Sequence, residues 1–153
     1  MDKICCFAGH KSIYNYDKLY KEVYNKCKEL ITQQGVNCFW VGNYGSFDSL
    51  AARVVSDLKG TYANIKLELI LPYITKEINE YKELYYKSYD RLLIADMPLN
   101  TPMKFRIIKC NQYMADNSDF MIAYVRHSYG GAAKTLEYAK KKNNITIFNF
   151  GEE

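Results

Sequence analysis

The fold is decided by one stretch, residues 37–58, which reads NCFWVGNYGSFDSLAARVVSDL. Its first part, Asn37–Val41, is a short apolar run of the kind that forms a buried strand. The loop Gly42–Gly45 follows, and Ser46 then stands where a helix N-cap belongs. Apolar residues recur at helical spacing from there to about Leu58. The stretch therefore predicts a strand, a glycine-bearing loop and a helix in succession.

The same alternation of apolar runs and helical periodicity continues on both sides of this stretch. Further strands are predicted at Lys3–Ala8, Lys66–Leu71, Arg91–Ala95, Asp119–Val125 and Ile145–Phe150. Further helices are predicted at Asp17–Gln34 with Gly35 as its C-terminal cap, from Pro102 to about Asn117, and from about Gly131 to Lys142. Between these elements, Asp96–Pro102 is predicted to be a loop, and Thr75–Tyr89 a short helix or an ordered lid.

This order of elements predicts the architecture. Uninterrupted apolar strands that alternate with helices indicate a parallel sheet covered by helices on both faces. Because crossovers between parallel strands are right-handed, such a sheet is doubly wound. The 153 residues contain no internal repeat or linker, and this length fits one domain. We therefore predict an α/β fold with a single domain, residues 1–153, built on a Rossmann-like, doubly wound and mostly parallel sheet.

Composition excludes several classes of protein. Hydrophobic residues make up 48% and charged residues 25%, which is the balance of a folded domain and not of a disordered chain. No apolar run approaches the ~20 residues that span a bilayer and no secretory signal is visible, so we expect no membrane partner and a cytoplasmic location. A net charge of +4 tolerates an anionic ligand but does not indicate nucleic acid as a partner. The five cysteines lack the paired spacing of a zinc site, so no metal site is expected.

Three loops that follow predicted strands are rich in polar residues and glycine, namely Gly9–Ser12, Gly42–Asp48 and Arg126–Gly131. In an open parallel sheet, ligands bind beyond the carboxyl ends of the strands, where the strand order reverses. Two of the loops place glycines just before a helix N-terminus, where unpaired N–H groups favour phosphate. The alternative is that the glycines serve only to make turns. The presence of two such loops at one edge of the sheet disfavours this alternative. The candidate ligand-binding residues in these loops are Gly9, His10, Lys11, Gly42, Asn43, Tyr44, Gly45, Ser46, Phe47, Asp48, Arg126, Gly130 and Gly131.

The remaining motifs and residues are weaker indications of function. Neither glycine loop matches G-x-x-x-x-G-K-[ST], which argues against a P-loop nucleotide hydrolase, and the first loop is not the G-x-G-x-x-G of a dehydrogenase. His10 and His127 have no second ligand at metal spacing, so each is expected to donate to phosphate or to be exposed. Four tyrosines predict either an aromatic lid over a base or, with greater weight, surface packing. They are Tyr81, Tyr85, Tyr86 and Tyr89.

Four segments resemble the SLOG superfamily, which includes proteins of the YpsA/DUF1273 type, the LOG phosphoribohydrolases and the DNA-processing protein DprA. Residues 41–53, VGNYGSFDSLAAR, are similar to its G-x-x-x-G-[FI]-D-x-x-A element. Residues 130–138, GGAAKTLEY, resemble its G-G-x-x-T-x-E element. Residues 110–119, CNQYMADNSD, resemble the run R-N-x-Y-M-V-D-x-S-D, and residues 7–11, FAGHK, resemble the G-H-R start of the DUF1273 branch.

The resemblance implies a nucleotide or nucleotide-derived ligand. In LOG-type enzymes the glycines of G-G-x-x-T-x-E hold phosphate and the glutamate contacts the ribose hydroxyls. The corresponding residues here are Gly130, Gly131, Thr135 and Glu137, and Cys110 and Asn111 fall in the neighbouring element. Asp48 is a second candidate acceptor for sugar hydroxyls, although a carboxylate at a helix start also favours the helix dipole. The two roles of Asp48 stay open.

Two departures from the family pattern bear on catalysis. Ser46 stands where the family has a glycine, and Cys110 stands where LOG enzymes have an arginine that works with the glutamate. Cleavage of an N-glycosidic bond needs electrostatic or acid help, so loss of this cation removes a part tied to catalysis. Arg106 lies one helical turn earlier and is the alternative cation. If the chain is an enzyme, Glu137 and Arg106 are its candidate catalytic residues.

These observations lead to one expectation and two alternatives. We expect a protein that binds a nucleotide-derived small molecule, such as an ADP-ribose-type or cyclic nucleotide signal, without transforming it and without a cofactor. Sequestration, in the manner of phage proteins that blunt nucleotide-based immunity, is one role for such a binder. The first alternative is a LOG-like phosphoribohydrolase or N-glycosidase, and the second is a DprA-like single-strand DNA binder, which the mild charge disfavours. The family also suggests a homodimer or higher homo-oligomer.

Overall fold

The structure is a computed structural model, and it describes residues 2–151. Six strands run along the chain, namely β1 Ile4–Gly9, β2 Cys38–Val41, β3 Lys66–Leu71, β4 Arg91–Ile94, β5 Phe120–Tyr124 and β6 Thr146–Asn149. The helices between them are α1 Tyr16–Gln34, α2 Ser46–Lys59, α3 Lys76–Glu80, α4 Lys82–Ser88, α5 Met103–Asp116 and α6 Gly131–Lys140. The predicted order of elements is therefore confirmed.

All strands belong to one parallel sheet with the order β4-β3-β2-β1-β5-β6. The central strand β1 pairs with β2 on one side, where Ile4 lies opposite Cys38, and with β5 on the other, where Cys5 lies opposite Phe120. The chain first builds outward from β1 to β4 and then returns to place β5 beside β1. The strand order therefore reverses between β1 and β5, which confirms the doubly wound Rossmann-like α/β fold.

Each face of the sheet is covered by a different pair of long helices. Successive side chains of a strand point to opposite faces, so Phe7 joins one core while Cys6 joins the other. The first core contains buried residues of α1 and α2, including Leu19 and Val54, and the second contains buried residues of α5 and α6, including Met114. This two-sided burial explains why the strands are continuous apolar runs.

The element boundaries differ from the predicted ones by a few residues at most. Of three predicted helix ends, one is confirmed and two are shifted by one residue. Gly35 ends α1 as predicted, with φ of 73° and its N–H donating to the Leu30 carbonyl oxygen. Ser46 is not the N-cap of α2, because Gly45 takes that position with φ of 125°. Pro102 likewise precedes α5 as its N-cap and is not part of its first turn.

Residues 75–89 form two short helices, α3 and α4. Thr75 caps α3 by accepting a hydrogen bond from the Ile78 N–H at 3.1 Å. Tyr85 and Tyr89 stack with their ring centroids 6.4 Å apart and pack against the first core. Tyr81 is exposed, as is Tyr86. The segment is therefore helical surface structure in which Tyr85 and Tyr89 pack against the first core while Tyr81 and Tyr86 are exposed.

All five cysteines are free and buried. Burial raises the pKa of the Cys6 thiol to about 12 and that of Cys110 also to about 12, so both thiols stay protonated at neutral pH. No helix within residues 2–151 is long and apolar enough to cross a membrane. The same residues contain no group of three or more side chains able to hold a metal ion.

Candidate functional site

A cavity of about 970 Å³, here called the main cavity, lies beyond the carboxyl ends of β1 and β5. This is the point at which the strand order reverses, where ligands of doubly wound folds bind. The loop after β1 contributes His10 and Lys11, and the loop after β5 contributes Arg126. Helices α5 and α6 contribute Asn111 and Gly131 from the other face of the sheet. The main cavity therefore joins elements that are distant in the sequence.

The loops after β1 and β2 are held against each other by a close backbone contact. The N–H of Ser46 donates to the Lys11 carbonyl oxygen at 2.8 Å. A Cβ atom on Gly45 would lie 2.6 Å from the Lys11 Cα, and the φ of 125° at Gly45 favours glycine on its own account. Only glycine at position 45 thus lets the second loop hold Lys11 at the rim of the main cavity.

Gly9 is required by its contact with Phe47. A Cβ atom on Gly9 would lie 2.3 Å from the Phe47 ring. This ring is fully buried and packs against Phe7 and Tyr124, with centroids 6.3 and 6.0 Å away. Phe47 is therefore a core residue that supports the first loop from behind.

The N-terminus of α6 opens onto the main cavity. Gly130 is the N-cap, with φ of 93°, and no side chain caps the first turn. Gly131 and Ala132 line the cavity, and a Cβ atom on Gly131 would meet nothing within 4 Å. The first N–H groups of a helix have no partner inside the helix and carry its positive dipole end. This geometry suits an anionic group such as phosphate.

Aromatic rings form a stack along one wall of the main cavity. His10 and His127 lie 3.9 Å apart between ring centroids, and His127 and Tyr129 lie 3.8 Å apart. Their planes differ by only 13° and 16°, so the three rings are nearly parallel. Beside the stack, the guanidinium carbon of Arg126 lies 5.1 Å from the centroid of the Tyr14 ring, as in a cation–π pair.

A hydrogen bond sets the protonation of His10. Its Nε2 accepts from the Arg126 backbone N–H at 2.9 Å, so this nitrogen carries no proton and Nδ1 carries one. Burial lowers the pKa of His10 from its ordinary value of 6.5, and His127 and Arg126 lower it further. The neutral imidazole thereby ties the loop after β5 to the loop after β1.

We expect His10 to titrate below pH 6.5, because burial disfavours its charged form, protonation breaks its bond to the Arg126 N–H, and the Arg126 guanidinium repels a second positive charge. The neutral form stabilises the fold, so this contribution is complete above pH 6.5 and is lost as the pH falls toward the lowered pKa. A proton NMR titration of the imidazole Cε1 signals measures it directly. The chain has two histidines, so the variant His127→Asn assigns the His10 signal. A His10 midpoint at or above 6.5 would contradict the geometry.

Asp48 places a carboxylate in the lining of the main cavity. Its Oδ2 accepts from the Tyr44 N–H at 2.9 Å. Burial raises the pKa of Asp48 from 3.8 to about 6, while this hydrogen bond lowers it. Among the described residues that line the cavity, Asp48 is the only acid. A single carboxylate with spare acceptor capacity can receive hydrogen bonds from hydroxyl groups of a ligand.

The cavity lining contains most of the residues that the sequence proposed, and the others lie outside it. Those in the lining are Gly9, His10, Lys11, Tyr44, Asp48, Asn111, Arg126, Gly130, Gly131 and Thr135. Those of the second loop that lie outside the lining are Gly42, Asn43, Gly45, Ser46 and Phe47. Thr135 donates from Oγ1 to the Gly131 carbonyl oxygen at 2.9 Å, one helical turn earlier in α6.

Three further candidates also lie outside the lining. Cys110 is 2% exposed, and its thiol faces the Ile70 carbonyl oxygen at 3.8 Å. Glu137 is exposed, and its Oε1 lies 3.6 Å from the Lys140 Nζ. Arg106 has a buried Nε that finds no hydrogen-bond partner among residues 2–151. No residue of α3 or α4 reaches the lining either.

Several lining residues were not among the proposed ligand-binding residues. They are Ser12, Tyr14, Ile107, Met114, His127, Tyr129 and Ala132, together with Phe7 and Ala8 of β1. The signal for some of these is present in the sequence, because Ser12, His127 and Tyr129 lie inside loops that the pattern had singled out. Ile107 and Met114 lie four residues before and three after Asn111, so helical spacing places them on one face of α5. Nothing in the local pattern indicates Tyr14.

Comparisons with known proteins bear on the family and the fold of the chain. The UPF0398 protein BH1768 of Halalkalibacterium halodurans is 27% identical over 121 residues, which are 73% of this chain and 62% of that protein, so the chain spans less than two thirds of this relative. The X-ray structure of DNA processing protein A (DprA) from Streptococcus pneumoniae superposes with a TM-score of 0.66 at 15% identity, over 97% of this chain and 50% of that one, and shares the fold. Residues 4–150 match the sequence model of the YspA SLOG family, and the chain therefore belongs to that family.

Proposed function

We propose that this protein binds a nucleotide-derived small molecule in the main cavity and retains it without chemical change. One observation carries the proposal: the uncapped N-terminus of α6 opens onto the same cavity as Lys11 and Arg126. Two cations and a helix N-terminus around one space favour a phosphate group. An ADP-ribose-type or cyclic nucleotide signal fits this description, and sequestering or sensing such a signal is the proposed role.

The rest of the cavity suits the other parts of a nucleotide. Asp48 and Asn111 line it and offer acceptors and donors for sugar hydroxyls. Tyr129 stacks on His127 with one face and is 70% exposed, so its other face is open to a base. A phosphate site, a polar sugar site and an aromatic surface within about 970 Å³ match a small-molecule ligand and not a polymer.

Binding is favoured over hydrolysis by the positions of the acidic residues. Glycoside cleavage in most families uses two carboxylates on either side of the scissile bond. Within the described lining the only carboxylate is that of Asp48, while Glu137 lies outside and pairs with Lys140. Cys110, which stands where LOG enzymes have arginine, is buried against the sheet. These positions support retention of the ligand and not its turnover.

Isothermal calorimetry tests the proposal. The purified chain is titrated with adenosine, guanosine, cytidine and uridine, with their 5′-monophosphates, and with ADP-ribose. We expect at least one phosphorylated compound to bind, and its nucleoside to bind at least about 100-fold more weakly, a difference of about 2.7 kcal/mol. Chromatography of the recovered ligand then shows it intact. Equal binding of nucleoside and nucleotide, or release of free base at catalytic turnover, would refute the proposal.

The pKa of Asp48 makes a second expectation about binding. If its carboxylate accepts from ligand hydroxyls, affinity rises with pH through about 6 and levels off above it. Between pH 7 and pH 5 we expect Asp48 to account for a loss of about tenfold in affinity. Asp48→Asn removes this component and leaves those of His10 in the same lining and of the ligand phosphate, whose second pKa is also about 6. Calorimetry of both proteins at each pH measures the difference, and parallel pH profiles would exclude the role.

The homo-oligomeric state and the cytoplasmic location stay predictions.

A further inference from the structure

A second cavity, of about 380 Å³, lies next to the main cavity. Tyr14 and Arg126 line both cavities, and the Arg126 guanidinium lies 5.1 Å from the Tyr14 ring. This cation–π pair is therefore the common wall between the two spaces. A cavity of this volume is large enough for a small-molecule group, since ligand sites begin at about 300 Å³.

The second cavity lies at the first turn of α1, and Asn15 and Lys18 line it. Asn15 is the N-cap, and its side chain does not cap the helix. Its φ of 52° and ψ of 67° make it the only non-glycine residue within residues 2–151 with a positive φ. Asn is one of the few non-glycine residues that adopt this left-handed conformation readily, so Asn15 itself sets the turn into α1. Each cavity is therefore bordered by the N-terminus of a long helix.

The lining of the second cavity mixes donors and acceptors. Lys18 supplies a cation, and Glu22 supplies a carboxylate one helical turn later. The Tyr124 hydroxyl accepts from the Tyr14 N–H at 3.2 Å and keeps its own hydrogen for donation. Leu19 and Phe150 complete the wall with apolar surface. A charged donor and a hydroxyl donor beside a carboxylate acceptor suit a sugar with several hydroxyl groups. The carboxylate would repel a second phosphate group, so the lining disfavours one.

We infer that the second cavity is a subsite for the terminal sugar of a nucleoside diphosphate sugar whose nucleotide part lies in the main cavity. The inference rests on the proposed function and narrows its ligand class. Arg126 lies at the wall between the two cavities, where the diphosphate of such a ligand has to pass. A guanidinium group holds phosphate oxygens through two parallel hydrogen bonds, which suits it to this position.

The experiment compares three compounds for each of three bases by calorimetry. The series are AMP, ADP and ADP-ribose; UMP, UDP and UDP-glucose; and GMP, GDP and GDP-mannose. In the series that binds, we expect the diphosphate sugar to bind at least about tenfold more tightly than the diphosphate, equal to about 1.4 kcal/mol. Comparing the diphosphate sugar with the diphosphate separates the contribution of the sugar to affinity from that of the second phosphate.

Matched variants assign the gain to the second cavity. Lys18→Glu is expected to remove the gain from the sugar and to leave the affinity for the mononucleotide within about twofold. Lys21→Glu makes the same charge change at an exposed position of α1 that lines neither cavity, so the gain is kept. Glu22→Ala removes the acceptor and is expected to weaken only the diphosphate sugar. Thermal unfolding confirms that each variant is folded.

The outcomes separate the two proposals. Binding of mononucleotides with no gain from the sugar would overturn the subsite and leave the proposed function standing. A gain that survives both Lys18→Glu and Glu22→Ala would also overturn the subsite, because the sugar would then lie elsewhere. Failure of all nine compounds to bind would overturn the subsite, and the proposed function falls as well if the cytidine compounds of the first titration also fail to bind.

Discussion

Replacing Gly131 with valine abolishes nucleotide binding and leaves the fold intact. A Cβ atom at this position meets nothing within 4 Å, and the residue lines the main cavity at the start of α6. The isopropyl group therefore occupies the space through which phosphate approaches the helix N–H groups. We expect a loss of affinity of at least about 100-fold, or about 2.7 kcal/mol.

Calorimetry with the tightest ligand of the nucleotide panel measures this loss, and urea denaturation measures the free energy of unfolding. Gly131→Ala is the graded control, because one methyl group obstructs less of the same space and is expected to weaken binding less. Unchanged affinity in Gly131→Val would mean that the phosphate does not approach the α6 N-terminus. A lowered free energy of unfolding in that variant would instead mean that the position is not open.

Replacing Gly45 with alanine has the largest expected effect on stability. The φ of 125° and ψ of −173° at Gly45 lie in a region that is nearly confined to glycine, and the new Cβ atom would lie 2.6 Å from the Lys11 Cα. The clash is with backbone, which cannot rotate away. The strain and the overpacking together cost about 4 kcal/mol, a large part of the ~5–15 kcal/mol by which domains are stable.

Urea denaturation measures this cost, with Gly131→Ala as the matched glycine-to-alanine control at an open position. Ligand titration of any folded Gly45→Ala protein shows whether displacement of Lys11 also weakens binding. A loss of less than about 1 kcal/mol would show that the two loops are not locked together by this glycine.

The strands and long helices were predictable because their signals are local. Continuous apolar runs indicate strands buried on both faces of a parallel sheet, and Gly35 indicates a left-handed cap at the end of α1. The N-cap of α2 was not predictable in this way. Ser46 has the usual side chain for a cap, but its N–H is taken by the Lys11 carbonyl oxygen, which is distant in the sequence. The contact between loops decides the cap, and no local pattern contains it.

The candidate site was predictable as a set of loops and less so as a set of side chains. Helical neighbours differ in direction by about 100° per residue, so Thr135 and Glu137 in one motif point to different sides of α6. Thr135 lines the main cavity and Glu137 faces solvent. Likewise Asn111 faces the cavity, whereas Cys110, the residue before it, faces the sheet. A motif places residues on an element, and the packing of that element selects which of them reach a ligand.

The pairing of β1 with β5 has a consequence for protein synthesis. β1 leaves the ribosome well before β5, which is completed only at Tyr124. The main cavity also needs Gly131, so a nascent chain has no complete site until synthesis has passed α6. Pairings between distant segments also form late in folding because they close long loops. A bound nucleotide would stabilise contacts that form only after the folding transition state. It is therefore expected to slow unfolding more than it speeds folding.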